Sequence, residues 1–381
     1  MDTVTDKKIT SGMKKIIKNI AALVIGCAVL LAGIFLGVLS IAEYRPADIE
    51  NLDIKNHNSA AHTALAVHAA LAVQNGLSVN VPFSVMTWNI GYASLDESQD
   101  FFMDGGKGVR PPSSENVMRN LAGIREFIIG VNSDITLIQE IDIASKRSYY
   151  ADQREFLTAD FSGSSAFAYN FNSIFVPIPV FQFIGKVESG LLNLSRFQIT
   201  EAFRMSLPNP FTWPVRTVNL KRCLLISRHP IANSAAELVI VNLHLEAYDS
   251  SGGREAQTKA LLDFLYSEYA KGNYVIAGGD FNQNFPGIDP HRFALRHSDF
   301  FIAGTLSPSL LAPFWQYAAG TQIPTCRLLN EPYSGDMENT QFYIIDGFIL
   351  SPNVELINVT TYDLGFKYSD HNPVKVEVKL K

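Results

Sequence analysis

From residue 81 onward, short apolar, β-branched runs alternate with amphipathic stretches of helical period. Seven runs read as strands: 83–88 (FSVMTW), 135–139 (ITLIQ), 223–227 (CLLIS), 238–243 (LVIVNL), 274–277 (YVIA), 342–350 (FYIIDGFIL) and 374–378 (VKVEV). Several are too continuously apolar for a half-exposed strand, which predicts central strands covered on both faces. Between them, Val117, Leu121, Ile124, Phe127, Ile128 and Val131 form one stripe, predicting a helix over 115–131 behind the N-cap pair Ser113-Ser114. A second helix is predicted over 254–269, with Ala260, Leu261, Phe264 and Leu265 inward. Residues 101–114 and 170–185 are rich in Gly and Pro or in aromatics and Pro, and read as long irregular, functional loops. No repeat or linker divides 81–381, so these residues are expected to form one domain of the α/β class.

The front of the chain follows another pattern. Residues 20–42 (IAALVIGCAVLLAGIFLGVLSIA) carry no charge. At ~1.5 Å per residue they are long enough for a ~30 Å hydrocarbon core. The run exceeds the ~7–15 residues of a signal h-region, which favours an uncleaved anchor; Ser40-Ile41-Ala42 keeps a cleaved signal as the alternative. Lys7, Lys8, Lys14, Lys15 and Lys18 precede it, so residues 1–19 are expected on the cytoplasmic side and the rest of the chain outside the cytoplasm. Residues 43–80 read as a linker or stalk. Its His57, His62 and His68 are spaced by five and six, which does not bring them to one helical face.

Apolar residues make up 47% of the chain and aromatics 11%, enough for a substantial core. Net charge is −6; residues 1–45 hold six basic and three acidic side chains, which leaves −9 on the remainder. An acidic domain lacks the field that gathers a polyanion, so no stable nucleic-acid complex is expected. Cys27, Cys223 and Cys326 show neither zinc-ligand spacing nor a disulfide framework, although a Cys223–Cys326 pair stays open.

The chemistry-bearing residues sit where strands end. Asn89 follows VMTW, Glu140 follows TLIQ, His244 follows VNL, and Asp280 and Asn282 follow VIAGG. Asp346 lies inside YIIDGFIL, and Asp370 and His371 stand before the last strand. Singly, each reads as a turn, a cap or a satisfied core residue. Together, six strands ending in groups that are costly to bury alone imply convergence on one site.

That series, WNI, QE, NLHLE, GGDFN, IDGFILS and SDHNPV, resembles the endonuclease/exonuclease/phosphatase superfamily over about residues 81–381. The resemblance implies a four-layer α/β sandwich of two mixed β-sheets flanked by helices, here preceded by one transmembrane helix. It also implies a phosphoester hydrolase using a divalent ion, Mg²⁺ with Mn²⁺ as second choice, held by Glu140 with Asn89 and completed by Asp370. Asp280 would activate the attacking water, with Asn282 holding water or a phosphate oxygen. His371, oriented by Asp346, and His244 would stabilise charge on the phosphate. The chemistry is coherent, since in-line displacement needs an activated water and neutralised phosphoryl oxygens. There is no GxSxG elbow and no phosphate-binding P-loop; GGDFNQNF also lacks the Trp and Arg of the inositol 5-phosphatase motif. Arg216, Lys221, Arg222 and Lys107 are expected to contact substrate. A lipid or head-group phosphodiester is the favoured substrate. A nuclease, or a binding protein on the same fold, are the alternatives.

Overall fold

The computed structural model describes residues 2–57, 76–248, 252–289 and 293–381, with side chains from residue 13 onward. The expected histidine positions 62 and 68 lie outside the described residues. A helix, α1 (Asp2–Ile41), leads the chain, and Met13–Ile41 is long and apolar enough to cross a membrane. Two further long helices follow, α2 (Ser114–Val131) and α4 (Gly253–Ala270), with a short α3 (Gln153–Thr158) between them.

Two seven-stranded sheets form the body. One comprises β1 (Ile49–Asn51), β7 (Glu201–Ser206), β8 (Cys223–Pro230), β9 (Glu237–His244), β10 (Tyr274–Asp280), β16 (Asp346–Leu350) and β13 (Gln316–Ala318), in that order. The other runs β17 (Val354–Thr361), β18 (Val374–Leu380), β3 (Pro82–Asn89), β4 (Ile135–Asp142), β6 (Gly185–Ser195), β5 (Gly163–Val176) and β2 (Ile54–His57). Each is mixed: β9–β10 and β3–β4 pair parallel, and their other neighbours antiparallel. Two small ladders, β11 (Gln283–Asn284) with β12 (Gly304–Thr305) and β14 (Cys326–Arg327) with β15 (Phe342–Tyr343), complete the described strands.

The period-2 alternation decides which face each side chain takes. Val85, Leu137, Ile240, Ile276, Phe348 and Val376 fill the space between the sheets. The intervening residues face outward: Val239, Val241 and Val275 lie under Leu261 and Leu265 of α4. On the opposite side Trp88, Ile138 and Leu192 lie under Val117, Leu121 and Ile124 of α2. The layers are therefore helix, sheet, sheet and helix. Fully burying each of these side chains contributes about 1.5–3 kcal/mol before the entropy of ordering the chain is set against it.

Five expectations change. Of the expected stalk, the described residues 43–57 and 76–80 are built into the body, because β1 and β2 each close one edge of a sheet and Leu77 is buried in a bridge to Ile231. Residues 170–185 are strand as far as Val176, and 177–184 form the tip of the β5–β6 hairpin; small polar residues alternating with aromatics hid it. The run 342–350 is broken at Ile344 and Ile345, whose carbonyls accept from Phe285 and Phe281 while Thr325 Oγ1 accepts from the Ile345 and Asp346 amides. Ser113 does stand at the N-cap of α2, but its hydroxyl bonds Asn116 Oδ1 rather than a backbone amide. Cys223 and Cys326 are both free and buried, so they do not pair.

Candidate functional site

The alternation that builds the core also builds the site. Continuing each inward-facing register to the strand end gives Asn89 on β3, His244 on β9, Asp280 on β10 and Asp346 on β16. On the way the seam becomes polar: Gln139 Nε2 donates across the sheets to Asn242 Oδ1 at 2.7 Å. Asp280 pairs in register with both His244 and Asp346. Glu140 breaks parity; it sits in a β-bulge between Ile138 and Ile141 with φ +54°. Such bulges re-aim side chains next to functional sites, and here the bulge turns a carboxylate into the cavity. Gly279 is required where it stands, since φ is +153° and a Cβ would meet Leu243 O at 1.9 Å.

The motifs lock one another. Trp88 Nε1 donates to His371 O at 2.9 Å, and Ser369 Oγ donates to Asn89 O at 2.9 Å. His371 Nδ1 meets Asp346 Oδ2 at 2.8 Å, leaving Nε2 facing Asp280 Oδ2 at 3.8 Å. Asp280 Oδ1 accepts from the Asn282 amide at 2.8 Å; its Oδ2 accepts from Asn89 Nδ2 at 3.0 Å and lies 3.4 Å from His244 Nε2. Asn282 Nδ2 donates to Leu245 O, which fixes the amide and leaves its oxygen for a ligand.

Burial and charge set the protonation states. Burial alone would lower His371, but Asp346 and Asp370 outweigh it and hold its pKa well above the ordinary value. Burial lifts Asp346 to about 6 against the opposing pull of His371, so the pair is a carboxylate and an imidazolium at neutral pH. His244 goes the other way: burial, then Arg222 and His371, push it well below its ordinary value. It is therefore neutral, which revises the expectation that it works as His371 does; it offers a single N–H. Burial, then Asp370, lifts Glu140 to about 7. Its carboxylate accepts no hydrogen bond from any described residue, and the nearest partner is His244 Nδ1 at 3.8 Å.

Four carboxylates, Glu140, Asp280, Asp346 and Asp370, thus surround the imidazolium. Arg147 and Arg222 are taken up by Asp142 and Glu246, which leaves Arg327 beside Asp370 as the other nearby cation, and a divalent cation would relieve the remaining negative charge. The tightest groupings of ligand atoms are Asp280, Asp346 and His371, and Cys326, Asp370 and His371. Both include His371, whose Nδ1 is taken by Asp346 and which is held protonated, a poor ligand state. Burial holds the Cys326 thiol up at about 12, so it supplies no thiolate. Glu140, Asp370 and the Asn89 amide oxygen make the better hard-oxygen set.

All of the strand-end site residues except Asp346, which is buried behind His371, line one cavity of about 230 Å³. Of the basic residues expected to contact substrate, only Arg222 reaches it. Its Nε lies 3.3 Å from Glu246 and its NH1 donates to His244 O at 3.1 Å. Arg216 and Lys221 instead bind Glu43 at 3.3 and 3.1 Å, just past α1, and Lys107 is exposed away from the cavity. Lining residues that the sequence did not single out include Arg147, held by Asp142 and stacked 3.2 Å over Tyr92, and the pair Tyr248–Asp104 at 2.6 Å. Burial raises Asp104 to about 6. Only Glu246, two residues past His244 in NLHLE, had a sequence signal.

Residues 86–371 match the model of the Endonuclease/Exonuclease/phosphatase family. Among solved structures, the endonuclease/exonuclease/phosphatase from Beutenbergia cavernae DSM 12333 is 16% identical, with a TM-score of 0.54 over 78% of this chain and 72% of that one. A functionally unknown conserved protein from Enterococcus faecalis V583 is 15% identical, with a TM-score of 0.50 over 78% of this chain and 100% of that one. At such identities the likeness shows the fold. No curated protein matches the chain.

Proposed function

Because the chain belongs to the Endonuclease/Exonuclease/phosphatase family, we propose that it is a divalent-metal-dependent phosphoester hydrolase working by in-line attack of an Asp280-activated water. The observation that carries this reading is the convergence of Asp280, the His371–Asp346 ion pair and the unpartnered Glu140 carboxylate on one cavity. Asp280 takes the proton of the attacking water. Asn89 Nδ2 and the Asn282 amide hold its two oxygens, so the carboxylate is oriented before substrate arrives. His371 donates from Nε2 to a phosphoryl oxygen, and its charge is sustained by Asp346 as negative charge builds on phosphorus. Neutral His244 and the free oxygen of Asn282 position the water or the ester oxygen. A divalent ion, Mg²⁺ by the hardness of the donors, would be held by Glu140, Asn89 and Asp370 and would supply Lewis acidity to the phosphoryl group.

Placement follows from charge. Five lysines precede the apolar span, and Glu43 with Arg45 follows it, so we assign the catalytic domain to the extracytoplasmic side, tethered through α1.

Mg²⁺-dependent hydrolysis of bis-p-nitrophenyl phosphate by the full chain in detergent tests the reading. Asp280→Ala is expected to lower kcat about 10²–10⁴-fold, the usual worth of a general base. Equal rates in both proteins would refute Asp280 as the base.

A further inference from the structure

The cavity has a second, apolar wall that hydrolysis of a small phosphoester does not need. Val176, Ile178 and Ile184 of the β5–β6 hairpin line it together with Asp280 and Glu140. Ile178 also belongs to the hairpin's outer surface, where Val180 is 66% and Phe181 93% exposed. Residues 170–185 contain no charged side chain. A contiguous exposed apolar tip of this kind marks an interaction surface.

Its neighbour is the transmembrane segment. Phe175 of β5 meets Phe35 of α1 edge to face at 6.1 Å, and Phe183 meets Phe175 edge to face at 5.3 Å. Beside them Trp213 Nε1 donates to Ser40 Oγ at 3.0 Å, and Leu39 is buried against the domain. Phe35 lies six residues before the helix end at Ile41, roughly 9 Å along the axis. Counting a ~30 Å hydrocarbon core from Ile20 puts Phe35 roughly 22 Å in, still inside it. The hairpin that touches Phe35 is therefore at bilayer depth. Glu43 fixes the arrangement: burial would raise its pKa, but Lys221, Arg45 and Arg216 together hold it below the usual carboxylate value, a charged clasp at the helix exit.

We propose that the tip, residues 177–184, with the adjoining Ile174 and Phe175 of β5, sits in the leaflet nearest the domain, and that the site takes amphiphilic phosphoesters from that leaflet. The hydrocarbon part runs along Val176 and Ile178 while the phosphorus lies at Asp280 and Glu140. The substrate class rests on the hydrolase reading above; the membrane seat of the tip does not.

Two measurements on the full chain reconstituted in vesicles test this. The first places Phe181→Trp in phosphatidylcholine carrying brominated acyl chains. Fluorescence quenching beyond that of the wild-type chain is expected, and quenching equal to wild type overturns the membrane seat. The second compares Val180→Ser/Phe181→Ser with wild type on bis-p-nitrophenyl phosphate and on vesicles of phosphatidylcholine with minor sphingomyelin, phosphatidylinositol and phosphatidylglycerol. Losing two apolar anchors is expected to lower vesicle-lipid turnover by about tenfold or more, with soluble turnover unchanged. Soluble turnover without hydrolysis of any vesicle lipid, or a parallel fall on both substrates, overturns the lipid class and leaves the hydrolase standing. Absence of Mg²⁺-dependent soluble turnover in the wild type overturns the hydrolase reading, while the quenching result still decides the tip.

Discussion

Replacing Asp346 by Asn isolates the charge that sustains His371. Asp346 is fully buried and its Oδ2 lies 2.8 Å from His371 Nδ1. The amide keeps the side-chain volume, so the packing around Thr325 and Phe348 stays filled. What is lost is a charge-assisted hydrogen bond in a dry site, worth about 1.5–3 kcal/mol. If that interaction is realised in the transition state, kcat/KM falls about 10- to 150-fold, at ~1.4 kcal/mol per decade. The pH dependence carries a second signature. His371 acts as a cation whose folded-state pKa is raised, so activity is complete below that pKa and is lost as pH rises through it. With Asp346 neutral, the largest pull opposing burial is gone and only the lesser ones of Cys326 and Asp370 remain, so the alkaline limb must move to lower pH. Rates on bis-p-nitrophenyl phosphate with saturating Mg²⁺, from about pH 5 to 10, read both effects. A limb that stays in place, with kcat within twofold of wild type, would show that Asp346 is structural and that the dyad has no part in the chemistry.

Other residues give independent checks. Glu140→Gln removes the unpartnered carboxylate and should raise the Mg²⁺ or Mn²⁺ concentration for half-maximal activity roughly tenfold or more; an unchanged titration would remove Glu140 from the ligand set. Glu268 would be raised by burial, but hydrogen bonds from Arg228, Lys271 and Asn273 bring it down to about 2. Its stabilisation is present above the unfolded value near 4.5 and fades as pH falls toward 2. Lys271 is 60% exposed, so screening leaves about 1–2 kcal/mol of the nominal effect. The melting gap between Glu268→Gln and wild type should therefore close between pH 4.5 and 2. Phe348→Ala opens a cavity between the sheets, where the ring is fully buried, and should cost about 3–5 kcal/mol in denaturant unfolding. A loss under 1 kcal/mol would mean that the inter-sheet layer collapses around the gap.

The sequence by itself determined the strands 83–88, 238–243 and 274–277, the helices α2 and α4, and the apolar span of α1, because each carries its period within one segment. It also marked every strand-end residue of the site, since a polar group closing an apolar strand is visible locally. Tertiary structure alone decided the rest. Residues 163–176 and 185–195 pair with each other and with the distant β4 and β2, and neither the small polar and aromatic alternation of the first nor the mixed run of the second has much local contrast. The aim of Glu140 depends on a bulge against β6 that no run of residues announces. Opposite protonation states for two equally buried histidines come from what folding sets around them: burial with Arg222 keeps His244 neutral, whereas Asp346 overrides burial at His371. Arg216 and Lys221, basic and aromatic-flanked in sequence, turn away from the cavity because Glu43 meets them across 173 and 178 residues. Local periodicity is written in the chain, whereas charge, aim and partnership are properties of what folding brings together.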